Sequence, residues 1–427
     1  MVATTSIPAK SKSNTPFRVM VVDDSAIIRG FLSRYLSEDP TIDVVTTANN
    51  GQVALSQLKQ HDIEVVVLDI EMPVMDGLTA LPQMIEMKPD LQVVMASTLT
   101  RKNADISMKS LAMGAVDYVP KPETARSVNA SIDFRRELVE KVKAWAARRR
   151  KRAGQALPTL DMGTKEASKT SERLSAGFVT SKRRPSASSS LKDAGAATAR
   201  TTATARRPAE KSLGEALSAP RGDGKNIALR PASMKTPKIL AIGSSTGGPQ
   251  ALLKFFEAFK SAPDVPILIT QHMPATFTAI LADHLQKSTG WECSEARNDM
   301  QVKAGAIYIA KGGLHMELEE KEGGVFVKLT DTPPENFCKP AVDPMLRSIV
   351  DIYGDRVLTV ILTGMGHDGL KGGREVTKAG GTLLAQDEAT SVVWGMPGAV
   401  ATAGLCSEVS PLTELANSVA NRLGRGQ

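Results

Sequence analysis

Hydrophobic and polar positions follow one repeating pattern over two long stretches of the chain. From Phe17 to about Ala130, the apolar runs "FRVMVVDD", "DVVTTAN", "EVVVLDIEMP", "QVVMAST" and "DYVPKP" predict five short buried strands. Between them, segments such as "SAIIRGFLSRYLSED" and "GQVALSQLKQH" place apolar residues three and four apart, the spacing of an amphipathic helix. Strand–helix alternation predicts a doubly wound parallel sheet. After about Lys235 the alternation resumes. Strand-like "KILAIGSS", "PILITQH", "AIYIAK" and "RVLTVILTG" lie among helical "PQALLKFFEAF", "FTAILADHLQK" and "DPMLRSIVDIYG", while "LHMELEE" and "VFVKLT" suggest a hairpin. The chain therefore reads as α/β, with two mainly parallel sheets.

Composition matters most between these stretches. Of the 427 residues and net charge of +7, the segment Arg148 to Lys235 holds 20 Lys/Arg against 7 Asp/Glu, a surplus of 13. The remainder of the chain sums to about −6. A segment so rich in Ala, Ser, Thr, Lys and Arg buries too little apolar surface to offset its ordering entropy, so a long disordered linker is expected. The resulting division is a disordered tail over 1–15, a first domain over 16–135, a basic low-complexity linker over 136–235 and a second domain over 236–425. Cys293, Cys338 and Cys406 are few, odd in number and widely spaced, which fits a reducing cytoplasm and neither a disulfide framework nor a metal cluster. No apolar run approaches the ~18 residues of a membrane span, and the first residues lack the core of a signal peptide.

In doubly wound sheets, reactive groups gather beyond the carboxyl ends of the strands. Asp23 and Asp24 close the first strand, Asp69 the third, Ser97 the fourth and Lys121 the fifth. Crowded carboxylates repel, and Mg²⁺ relieves the repulsion with a few carboxylates, waters and a phosphate. A hydroxyl and an ammonium converging on them make a phosphoryl-transfer site with Asp69 as nucleophile. One strand-end Asp would be an ordinary helix cap, but five positions in register are not.

The stretches "VVDDS", "LDIEMPVMDGL", "MAST" and "YVPKP" resemble the two-component response-regulator receiver domain, a flavodoxin-like fold. The resemblance implies that Asp69 takes a phosphoryl group from a chemotaxis histidine kinase. It further implies Mg²⁺ held by Asp24, Asp69 and the carbonyl of Glu71, with Asp23 assisting through water. Lys121 pairs with the phosphoryl oxygens, and Ser97 and Tyr118 occupy the switch positions.

In the second domain, "AIGSSTGGP" ends a strand and opens a helix. A P-loop requires Gly-Lys-Ser/Thr after the glycines, but Pro249 and Gln250 follow here, and G-x-G-x-x-G is not matched. What "GSSTG" matches is G-x-S-x-G, the turn that presents a serine. His272 ends the next strand, 27 residues beyond Ser245, and Asp368 follows another buried strand on the same edge. Ser245, His272 and Asp368 can therefore meet as nucleophile, base and orienting acid. Ser244 is the competing nucleophile, although the elbow register favours Ser245. His367 and His315 are weaker bases, His284 lies within a helix and His61 in the first domain.

"AIGSSTGGP", "TQHMP", "KPAVDPMLRS", "LTGMGHDGL" and "AQDEATSVVWGMP" resemble the catalytic domain of the chemotaxis protein-glutamate methylesterase, a Rossmann-like fold. This resemblance implies the triad Ser245, His272 and Asp368, with Thr246 and Met365 shaping the site and supplying oxyanion donors. It implies a phosphorylation-activated serine hydrolase that demethylates glutamate γ-methyl esters on methyl-accepting chemoreceptors, and that deamidates glutamine by the same steps. No cofactor is expected for the esterase, nor nucleic acid as a partner, nor insertion in a membrane; the chain is expected to be a cytoplasmic monomer. Two features depart from the family: "YIAKGG" puts Lys311 near the site mouth, and the linker is unusually long. The alternative is a non-enzymatic regulator that binds nucleic acid or receptor through the basic linker.

Overall fold

The computed structural model describes residues 15–98, 100–121, 132–158 and 227–424. Residues 1–14 of the expected tail and the part of the expected linker over 159–226 lie outside the described residues.

The first domain is a five-stranded sheet in the order β2-β1-β3-β4-β5, all parallel: β1 (Phe17–Val22), β2 (Ile42–Ala48), β3 (Val65–Asp69), β4 (Gln92–Thr98) and β5 (Asp117–Lys121). Every residue of β3 is buried, as expected of a central strand covered by helices on both faces. The covering helices are α1 (Ala26–Ser37), α2 (Gly51–Gln60), α3 (Gly77–Met87) and α4 (Arg101–Ala112). Each starts where a short polar side chain satisfies a free amide. Asn50 accepts from Val53 N at 2.9 Å and Asp76 from Thr79 N at 2.7 Å. Gly77 must be a glycine because a Cβ there would lie 2.0 Å from the carbonyl oxygen of Asp69.

One boundary differs from the sequence reading. The basic linker was expected from residue 136, yet Ile132–Arg152 forms a 21-residue helix, α5. Its Leu138, Val142, Trp145 and Ala146 are buried against the first sheet. Within the "RRRKR" run, Arg149 and Arg150 are buried, while Lys151 and Arg152 face solvent. Arg150 reaches the buried Glu64 with Nε at 2.6 Å and Nη2 at 2.7 Å, and Arg149 adds a bond at 3.1 Å. A buried carboxylate needs cations, and the arginines supply them. Composition cannot distinguish arginines that face water from arginines that answer a buried acid elsewhere in the chain.

The second domain is a seven-stranded parallel sheet in the order β14-β13-β12-β6-β7-β9-β8. Its strands are β6 (Ile239–Ser244), β7 (Ile267–Gln271), β8 (Cys293–Glu295), β9 (Ile307–Ile309), β12 (Val357–Ile361), β13 (Thr382–Gln386) and β14 (Glu408–Ser410). The expected hairpin is β10 (His315–Lys321) paired antiparallel with β11 (Gly324–Thr330). Helices α6 (Gly248–Phe256), α7 (Ala275–Thr289), α8 (Val342–Tyr353), α9 (Leu370–Lys378), α10 (Met396–Thr402) and α11 (Leu412–Arg422) cover the faces. The chain runs from β6 out to one edge and returns to β12 on the other side of β6. That reversal opens a crevice at the carboxyl ends of β6, β7 and β12. Among the described residues, no helix is long and apolar enough to cross a membrane.

Candidate active site

The end of β6 separates the two adjacent serines. Ser244 is fully buried, and its Oγ donates to Gln271 Oε1 at 2.7 Å. Ser245 sits one residue further, half-buried in the turn, with its amide donating to Thr363 O at 3.0 Å and its carbonyl accepting from Gly248 N at 2.7 Å. The turn closes through Gly247 at φ 75°, where a Cβ would lie 2.4 Å from Val392 Cγ2. Among the described residues, Ser245 Oγ is engaged by no hydrogen bond. A locked hydroxyl and a free one thus stand side by side, and only the free one can attack. The amides of Thr246 and Met365 likewise meet no acceptor among the described residues, as oxyanion donors must. Thr363 Oγ1 donates to Thr246 O at 2.9 Å and fixes that side of the turn.

His272 follows β7, and its amide donates to Ser244 O at 3.1 Å, which sets the histidine beside the serine turn. Its Nε2 lies 2.7 Å from Asp368 Oδ2. Asp368 is buried at the head of α9 and accepts from Gly369 N at 3.0 Å, Val342 N at 2.6 Å, Asp343 N at 3.2 Å and Asn336 Nδ2 at 2.9 Å. Burial alone would raise its pKa, but the bond to His272 and these backbone donors hold it below the usual carboxylate range. Two helix N-termini, of α8 and α9, therefore brace one carboxylate.

The other nitrogen of the imidazole was not anticipated. His272 Nδ1 lies 3.3 Å from Cys338 Sγ, and no hydrogen bond joins it to Ser245 among the described residues. Burial would lower the histidine's pKa, but Cys338 and Asp368 on its two sides push it up to about 10. Two further groups escaped the sequence reading. Asn336 Nδ2 bridges Asp368 and Asp343, and Asp343 accepts from Gly369 N and Gly372 N. Burial and repulsion from Asp368 raise the pKa of Asp343. Asp343 lay inside the quoted "KPAVDPMLRS", but nothing in its spacing distinguished a buried brace from a helix cap. Cys338 lay just before that motif and was set aside because no second cysteine was near; its partner is a histidine 66 residues away.

The other histidines are used elsewhere. His315 is buried, accepts from Ala341 N at Nδ1 and faces Pro333 O at Nε2. His284 stands 3.8 Å from Asp105 of the first domain, and His367 is exposed. Lys311 is 3.8 Å from Glu295.

In the first domain, Asp23, Asp24 and Asp69 each offer an oxygen within 4.8 Å of the others. Lys121 bridges two of them, at 2.9 Å from Asp23 Oδ2 and 2.7 Å from Asp69 Oδ1. Burial raises the Asp69 pKa to about 6, with Asp23 adding to the rise and Lys121 opposing it. This oxygen-only set suits a hard divalent cation such as Mg²⁺. Glu71 is exposed just past β3. Ser97 is buried with its Oγ 2.8 Å from Ser107 Oγ, and Tyr118 is buried on β5.

The two domains touch beside the crevice. Tyr118 stacks on Phe277 of α7, and Gln250 donates to Ala115 O at 2.9 Å. From α5, Arg148 donates to Thr390 O at 3.1 Å and Lys151 pairs with Glu388 at 3.0 Å. The Arg136 guanidinium lies 4.7 Å over the ring of Phe337, next to Cys338.

The CheB methylesterase profile matches residues 240–419, and the response regulator receiver domain profile matches residues 19–133. Protein-glutamate methylesterase/protein-glutamine glutaminase 1 of Rhodospirillum rubrum is 46% identical over 418 residues, covering 97% of each chain. The protein-glutamate methylesterase/protein-glutamine glutaminase of Azospirillum brasilense is 47% identical, covering 96% of this chain and 93% of its own. Among solved structures, the Thermotoga maritima CheB methylesterase catalytic domain is 38% identical, covering 44% of this chain and 99% of that one, with a TM-score of 0.42.

Proposed function

The chain belongs to the receiver-linked protein-glutamate methylesterase/protein-glutamine glutaminase family, and we propose that its crevice hydrolyses glutamate γ-methyl esters on methyl-accepting chemoreceptors under control of Asp69 phosphorylation. The observation that carries this reading is the His272–Asp368 pair beside the unengaged Ser245 hydroxyl. Ser245 Oγ attacks the ester carbonyl while His272 takes its proton. The amides of Thr246 and Met365 hold the oxyanion. The C–O bond to the methyl group's oxygen breaks, methanol leaves with the proton from His272, and an acyl-enzyme remains. Water, deprotonated by His272, then releases the side chain as glutamate and regenerates Ser245. Attack on a glutamine amide follows the same steps with ammonia leaving.

His272 serves as a base only when neutral, and with Cys338 and Asp368 holding its pKa up at about 10 the reaction draws on the neutral fraction. In the receiver, Asp23, Asp24 and Asp69 would hold Mg²⁺ with the carbonyl of Glu71; when bound, it neutralises carboxylate and phosphoryl charge. Asp69 accepts the phosphoryl group from a histidine kinase, and Lys121, now on Asp69, pairs with the new oxygens. Tyr118 and Ser97 carry the change to the domain contact. The chain would work in the cytoplasm, where kinase and receptor signalling tips meet.

The test is release of methanol from methylated receptor membranes, with acetyl phosphate and Mg²⁺ present or absent. Phosphorylation should raise the rate, and Ser245→Ala should remove it. Near-normal release by Ser245→Ala would sink the reading.

A further inference from the structure

The sulfur of Cys338 occupies the nitrogen of the catalytic histidine that a serine hydrolase would give to its nucleophile. Cys338 Sγ, His272 Nδ1, His272 Nε2 and Asp368 Oδ2 form a continuous chain with steps of 3.3 Å and 2.7 Å across the imidazole. This is the arrangement of a thiol beside a base and an orienting acid, the geometry that activates a nucleophilic cysteine. The surrounding turn keeps the sulfur there. Cys338 N donates to Glu335 O at 2.8 Å and Glu335 N donates to Cys338 O at 3.2 Å. Between them, Asn336 and Phe337 hold φ values of 52° and 64°, and Asn336 is tied to Asp368 itself. The other two cysteines serve as internal controls. Cys293 and Cys406 are buried, and burial pushes each thiol up to about 12. Cys338 is partly exposed at the crevice.

We propose that Cys338 and His272 together form a hydroperoxide-reactive site, and that oxidation of Cys338 reversibly silences the esterase. The reactive unit is the pair, not the cysteine alone. In the reaction, the neutral form of His272 takes the proton from Sγ at Nδ1, and the sulfur attacks one oxygen of hydrogen peroxide. The S–O bond forms, the O–O bond breaks, and the leaving hydroxide takes from His272 the proton that came from the thiol, becoming water and returning the neutral imidazole. Sulfur is oxidised by two electrons and peroxide is reduced by two, leaving a sulfenic acid. That group occupies His272 Nδ1, the ring nitrogen that Asp368 leaves to a nucleophile. A thiol reductant restores the site. The consequence for catalysis rests on the esterase reading above, whereas the chemistry of the thiol does not.

The test uses the full chain, treated with hydrogen peroxide and trapped with dimedone, with labelled peptides identified by mass spectrometry. Label should appear at Cys338 and be at least tenfold lower at Cys293 and Cys406. His272→Gln should slow labelling of Cys338 by at least tenfold, an effect that mere exposure would not give. Methanol release should fall in parallel with labelling and return with dithiothreitol, while the rate of Cys338→Ser, whatever its basal value, should not respond to peroxide. Absence of label at Cys338, or labelling indifferent to His272→Gln, overturns the reactive pair. Peroxide inhibition of Cys338→Ser equal to that of the unaltered chain overturns the silencing. Were methanol release absent even without peroxide, the esterase reading would fail while the His272-dependent labelling still stood.

Discussion

Tyr118 of the receiver lies flat against Phe277 of the esterase domain, with ring centroids 4.4 Å apart and planes within 5° of parallel. Tyr118 sits on β5, three residues before the lysine that bridges Asp23 and Asp69, so one short strand joins the phosphoacceptor to the domain contact. A stacked aromatic pair is worth about 0.5–1.5 kcal/mol beyond its buried area. Tyr118→Leu should therefore raise the unphosphorylated esterase rate about two- to tenfold and shrink the response to acetyl phosphate. Phosphorylation of Asp69, measured on the same preparation, checks that the receiver still folds. An unchanged basal rate would mean that the stack does not hold the domains together.

The two neighbouring serines should separate cleanly. Ser245→Ala should abolish methanol release. Ser244→Ala loses its bond to Gln271 and should cost about 1 kcal/mol of stability while leaving a substantial fraction of the activity. Thermal unfolding and initial rates on the same samples distinguish the two roles.

The pH profile of the resting enzyme follows from His272. Its raised pKa, about 10, leaves little neutral imidazole at pH 7, so the unphosphorylated rate should climb toward alkaline pH. The charged and titratable groups facing the ring are Asp368 and Cys338. Cys338→Ala removes one of the two that raise it, and should shift the acidic limb of kcat/KM to lower pH. A limb that stays in place would show that the sulfur does not tune the base.

Asp69 gives a second titration, with the opposite consequence for folding. In the metal-free receiver its pKa is raised to about 6, so the folded state holds a proton that the unfolded chain has already released. The stability this contributes is full below about pH 4 and is lost as pH rises through 6. Asp69→Asn should flatten that part of a stability–pH curve, measured by urea unfolding with chelator present.

Glu64 offers a test of the basic helix. Glu64→Gln leaves Arg149 and Arg150 without their buried counter-charge and should destabilise the receiver by about 3–5 kcal/mol. Substituting an exposed arginine such as Arg34 should change stability by under about 1 kcal/mol.

Both sheets were legible in the sequence because buried parallel strands are continuous apolar runs, and "EVVVLDIEMP" and "KILAIGSS" have few other readings. Asp23, Asp69 and Lys121 were legible for a related reason: strand ends in such sheets converge, so residues far apart in sequence share one edge. What stayed hidden depended on partners that no spacing encodes. Glu64 and Arg150 meet across 86 residues, and His272 and Cys338 across 66. The short strands β8 and β14, of three residues each, were too brief to show a period.

The helix Ile132–Arg152 also decides where this chain can be divided. A cut at residue 135 would strip Leu138, Val142 and Trp145 from the receiver and open the underside of its sheet to water. A cut beyond residue 158 would spare that surface, and it would sever none of the contacts from Arg136, Arg148 and Lys151 to the esterase domain. Covalent continuity and regulatory contact are thus separate properties of this protein. A chain nicked between residues 159 and 226 would keep the contacts of Arg136, Arg148 and Lys151 with the esterase domain, with no peptide bond joining the two domains.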